Sequence, residues 1–129
     1  MKLVAAFSFA LLLFTACESS TERRWLVSNR SANDIKVSLI TAHTGDTLYK
    51  SIAPGQTEVI YAQTQPGGSS GVLRALSVFD TAVIENTSGD FMQKDFLDQI
   101  NWNITIKQEK NFPSFYSHQY TFPVSDSDF

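Results

Sequence analysis

Apolar positions along this chain fall into two unlike patterns. One is an unbroken run near the N-terminus; the other, beyond Trp25, is a series of short segments in which apolar and polar residues alternate. Alternation with a period of two sends successive side chains to opposite faces, as a half-buried β-strand requires. Residues 34–41 show it cleanly, with Ile35, Val37 and Leu39 on one face and Lys36 and Ser38 on the other. Trp102, Ile104 and Ile106 alternate in the same way with Asn103, Thr105 and Lys107. In a last strand Tyr116, His118, Tyr120, Phe122 and Val124 line one face opposite Ser117, Gln119 and Thr121. Further strands are predicted at 25–28, at 47–53 with Leu48 and Ile52 flanking Lys50, at 57–63 with Val59 and Tyr61 in register, and at 76–85, either continuous or broken near Asp80.

Turn formers separate these runs. Residues 29–33, 43–46, 86–90 and 111–114 read as turns, and Pro54-Gly55 suits a type II turn, because Pro fixes a negative φ and Gly accepts a positive one. Residues 65–71 carry three glycines and are expected to be the most flexible stretch of the domain. Met92, Phe96 and Ile100 stand four apart, so helical spacing competes at 91–100, which is read as a loop with at most a short helix. Pro123 suggests an edge position for the last strand. About seven strands with no long helix predict an all-β fold, a single antiparallel β-sandwich of the Ig-like kind.

The N-terminal run is a different object. Lys2 precedes an apolar stretch at 3–14, interrupted only by Ser8, and Phe14-Thr15-Ala16-Cys17 leads into the polar residues 18–24. This is the layout of an export signal, and it is several residues short of the roughly twenty that a membrane-spanning helix needs. Ordinary secretory cleavage fits less well, because Phe14 stands where a small residue is wanted. A buried core helix would have to be surrounded by protein, since the run is apolar on every side. Thr15-Ala16-Cys17 resembles the end of the bacterial lipobox, in which the cysteine becomes the first mature residue and carries the lipids. Phe14, in the position usually held by leucine, is more at home among the Bacteroidota. The Trp102 strand, Tyr120-Thr121-Phe122 and the acidic end at Asp126 and Asp128 also resemble uncharacterised lipoproteins of that phylum.

The expected organisation is therefore a lipoprotein signal peptide at 1–16, lipidated Cys17 with a short tether at 17–24, and a β-sandwich domain at 25–129. The resemblance implies a bacterial cell-envelope location, lipid-anchored in the outer membrane. Several acyl chains anchor almost irreversibly, because each buried methylene adds about 0.8 kcal/mol. Cys17 is the sole cysteine among 129 residues, so its lipidation leaves no thiol for a disulfide, and core packing must supply stability. With Lys2 removed, nine Lys and Arg face thirteen Asp and Glu, a net charge near −4. That balance, without any basic stripe, excludes nucleic acid as a partner. Arg23-Arg24 reads as part of a solvated linker or as a headgroup contact.

Candidate chemistry is sparse. His43 and His118 lie far apart in sequence with no His or Cys beside them at metal-ligand spacing, so no metal and no cofactor is expected. Asp95 with Asp98, and Asp126 with Asp128, lack the calcium-loop pattern and read as solvated charge. The glycine-rich loop has no following Lys-Ser or Lys-Thr, and no Gly-x-Ser-x-Gly occurs. Asp46-Thr47-Leu48 and Asp80-Thr81-Ala82 resemble the motif on which Bacteroidota attach O-glycans, which implies modification at Thr47 and Thr81. These readings converge on a non-catalytic binding or envelope-assembly module with a protein or glycan partner. An aromatic platform of Tyr116, Tyr120 and Phe122 would be its surface. The alternative is a small envelope enzyme with a carboxylate or His118-based site in a cleft.

Overall fold

A computed structural model describes residues 18–129; residues 1–16, expected to be an export signal, and Cys17 lie outside the described residues. Seven strands form two sheets: β1 (Ser20–Asn29), β2 (Ile35–Thr41), β3 (Thr47–Ile52), β4 (Thr57–Pro66), β5 (Phe79–Asn86), β6 (Asn103–Asn111) and β7 (Ser114–Val124). The larger sheet has the order β4-β1-β7-β6 and the smaller β3-β2-β5. A single helical turn, α1 (Ala75–Val78), precedes β5, and short 3-10 turns sit at Gln99–Asn101 and Asp126–Asp128. Among the described residues no helix is long and apolar enough to cross a membrane.

The two-sheet sandwich agrees with the alternation in the sequence, and Ile35, Val37 and Leu39 are all buried on the inner face of β2. Four details differ from expectation. The central pair β1–β7 runs parallel, Ser20 opposite Phe115 through Asn29 opposite Val124, while every other pair is antiparallel. β7 is therefore an inner strand despite Pro123. The proline is tolerated because pairing with β6 stops at Asn103–Thr121, so its missing N–H removes no rung on that side. In β4, Trp25 pairs with Tyr61 but Leu26 with Val59, so Ile60 is the extra residue of a β-bulge. That insertion resets the alternation: Ile60 is buried and Val59 is 41% exposed. Finally, β1 begins at Ser20, so residues 20–24 of the expected tether are strand, and Arg23 is buried rather than solvated.

Aromatic rings fill the space between the sheets. Trp25 stacks on Tyr120 with centroids 4.9 Å apart and planes 7° from parallel, and its edge meets Phe79 at 6.1 Å. Phe79 continues to Phe96 at 5.5 Å, and Phe96 to Trp102 and Phe122, each at 4.9 Å. Offset and edge-on contacts of this kind add about 0.5–1.5 kcal/mol per pair beyond area burial. Buried polar atoms are matched where the sheets join. Asn29 Nδ2 donates to the carbonyls of Asn33 (2.8 Å) and Ile52 (2.9 Å), and its Oδ1 accepts from the Ser31 N–H (3.0 Å) and hydroxyl (2.6 Å), tying β1 to β3. Near the end of β7, Lys94 from the β5–β6 connection donates to the Pro123 carbonyl at 2.6 Å and lies 4.8 Å above the Phe122 ring.

Candidate binding site

The inner face of the larger sheet changes character along β1. Val27 and Trp25 belong to the aromatic core, but the next inward residues, Arg23 and Thr21, are polar and buried. Register carries the change sideways: Trp25 lies between Tyr61 and Tyr120, Arg23 between Gln63 and His118, and Thr21 between Gln65 and Tyr116. These polar rows lie where β1 begins, at Ser20.

Residues 67–73 cover them, and that loop is pinned, contrary to the flexibility its glycines suggest. The Gly67 N–H donates to the Ser19 carbonyl at 2.7 Å. Thr21 Oγ1 donates to the Gly67 carbonyl (2.7 Å) and accepts from the Ser69 N–H (2.9 Å). Leu73 N–H donates to the Tyr120 hydroxyl at 3.1 Å. A Cβ on Gly68 would fall 2.5 Å from Ser114 Cβ, so close approach to β7, not freedom, is what requires glycine there.

His118 is the buried hub of this cover. Nε2 lies 2.6 Å from the Ser69 carbonyl, which only accepts, so Nε2 carries the proton; Nδ1 then accepts from the Tyr120 hydroxyl at 3.1 Å. Burial holds its pKa below the ordinary 6.5; the Ser69 hydrogen bond opposes that shift, and the nearby Arg23 charge adds to it. As pH falls through 6.5 the unfolded chain protonates at this residue while the folded chain stays neutral, so this contribution to stability is complete above 6.5 and declines below it. His118→Gln is therefore expected to lose less stability than wild type between about pH 7.5 and about pH 5.5 in urea titrations. Equal losses would contradict the role assigned to His118.

Arg23 has no carboxylate within 4.0 Å among the described residues. Nη1 donates to Gln65 Oε1, and buried Nε has no partner among the described residues. Gln65 also lines a cleft of about 380 Å³ between β4 and α1, together with His43, Tyr61, Gln63, Leu73 and Ser77. The cleft lining contains hydroxyls, amides and an imidazole but no Asp or Glu.

Other sequence-derived candidates are placed elsewhere. Tyr120 and Phe122 are fully buried, so they form core and not the aromatic platform expected on β7. His43 lines the cleft whereas His118 lies behind it, and no group of three potential metal ligands exists among the described residues. Asp95 and Asp98 accept from the N–H groups of Leu97 and Ile100 and Asp128 from that of Ser125, so these carboxylates cap turns, while Asp126 accepts from the distant Ala32 N–H. Thr47 and Thr81 are both exposed and both pair with Ile40, one on each side of β2. That puts them on one outward face about 10 Å apart, two inter-strand spacings. Arg23, Gln63 and Gln65 escaped the sequence reading, although Thr21, Arg23, Trp25 and Val27 continue a period-two pattern that signals their shared face.

No protein-family model, no curated protein and no solved structure matches this chain.

Proposed function

We propose that this chain is an exported, lipid-anchored and non-catalytic binding module of the bacterial cell envelope, held in the outer membrane by Cys17. The observation that carries the reading is the cleft beside β4, backed by a buried arginine that has no carboxylate partner. Its position fits an anchored receptor. The cleft-lining end of β4 pairs with the start of β1, Pro66 opposite Ser20. Ser20 follows Cys17 by three residues, at most about 11 Å of extended chain, which keeps the cleft close to the membrane surface. Support for binding over catalysis comes from His118, whose two ring nitrogens are both committed to holding the loop. In the same reading Thr47 and Thr81 carry O-glycans that shield the outer face of the smaller sheet and leave the cleft side open.

A photo-crosslinking residue at Thr64, in the cleft lining, is expected to trap an envelope component in living cells. The same residue at Val83, 43% exposed on the smaller sheet, is expected to trap none. Equal trapping at both sites, or none at Thr64, would contradict the assignment of the cleft as the binding site.

A further inference from the structure

We infer that the cleft recognises the carboxylate of a small hydroxylated ligand, with Arg23 as the anion-binding residue and Gln65 as a neutral stand-in for the carboxylate when the site is empty. This rests on the reading of the chain as a binding module and names its ligand class.

The argument starts from charge. An arginine whose residue is only 2% exposed and whose Nε is buried has surrendered much of its hydration, and burial of that kind is ordinarily matched by an acid. None is in reach. The hydrogen bond that Arg23 makes goes from Nη1 to an amide oxygen, and the Nε–H points to no acceptor. Nη1 alone of its nitrogens thus has a partner among the described residues, and a carboxylate is the group whose two oxygens match the guanidinium fork.

Access runs through Gln65. Arg23 does not itself line the cleft, but exposed Gln65 both lines it and accepts from Arg23, so displacement of this one side chain is the route by which a ligand in the cleft would reach the guanidinium. The lining then selects the ligand. With no Asp or Glu in the wall, an anion meets no repulsion. Tyr61, Thr64, Ser77 and Gln63 offer hydroxyl and amide groups to a ligand bearing hydroxyls or an amide, and Leu73 supplies an apolar wall. A volume of about 380 Å³ lies at the small end of the range for small-molecule sites. Two sources could supply such a group, a sugar acid or the carboxyl end of a peptide, and both would present the same carboxylate.

The test uses the full mature lipidated protein in detergent micelles, titrated calorimetrically with glucuronate, N-acetylalanine and glucose. Glucuronate or N-acetylalanine is expected to bind, glucose not; the one that binds identifies the source. Gln65→Glu provides the decisive variant, because it places a carboxylate where the amide oxygen sits. It is expected to fold, to raise the Tm by about 4 °C or more, and to weaken carboxylate binding by about tenfold or more. Arg23→Met is expected to abolish that binding while circular dichroism reports the same sheet content. The inference is overturned if neither carboxylate binds wild type at about 10 mM. It is also overturned if glucose binds as well as glucuronate, or if Gln65→Glu leaves affinity unchanged. Crosslinks at Thr64 alongside any of these results would leave the binding module standing and remove only its ligand class.

Discussion

Trp25→Ala is expected to destabilise the domain by about 3–5 kcal/mol, the range found when a fully buried large aromatic is truncated. A domain of this size holds about 5–15 kcal/mol in total, so the loss approaches unfolding at growth temperature and lowers the Tm by about 15 °C or more. The size of the effect follows from position. Trp25 is completely buried on the central strand of the larger sheet and touches Tyr61, Phe79 and Tyr120. Its removal leaves a void bordered by three rings that cannot collapse without shifting both sheets. Nothing covalent compensates, because the chain has one cysteine and no disulfide can form within it. Tyr49→Ala, at a ring 77% exposed on β3, is expected to change stability by less than about 0.5 kcal/mol. Thermal and urea denaturation of both variants checks the contrast. Similar midpoints would mean that the aromatic core is not what holds the sheets together.

The second large effect concerns location. Cys17→Ala removes the only thiol that could accept acyl chains, so the protein is expected to move almost entirely from the membrane pellet to the soluble fraction. An uncleaved apolar segment of a dozen residues is too short to span a bilayer in compensation. The domain itself should be unaffected, since Cys17 precedes the first strand at Ser20. Denaturation midpoints of the variant and of wild type should agree within error. Membrane retention of the variant would contradict lipidation at Cys17.

How much of this molecule was legible in its sequence depended on whether the information was local. β2 and β7 could be read directly, because strict alternation of Ile35, Val37 and Leu39, and of His118, Tyr120, Phe122 and Val124, leaves one choice of inner face. The bulge at Ile60 could not, since one inserted residue reverses every later assignment and depends on the partner strand. The parallel pairing of β1 with β7 joins segments about ninety residues apart and leaves no local trace. Arg23 shows the same limit at the site. In sequence it stands among charges beside Arg24 and Glu22, which pair with each other in solvent. The period-two step from Trp25 and Val27 hints that it faces inward, and the register with Gln63 and His118 shows it. The loop at 67–73 looked loose because its anchors, Thr21, His118 and Tyr120, lie at least 45 residues away. Gly68, expected to confer flexibility, instead serves close contact with Ser114.

The proposed function requires lipidation at Cys17, three residues before β1 begins at Ser20. Intact-mass spectrometry of the protein purified from its own membranes tests that most directly. The predicted result is a mature chain that begins at Cys17 and carries the added mass of acyl chains on that residue. A chain that retains Met1, or one cut elsewhere and bearing an unmodified Cys17, would contradict it.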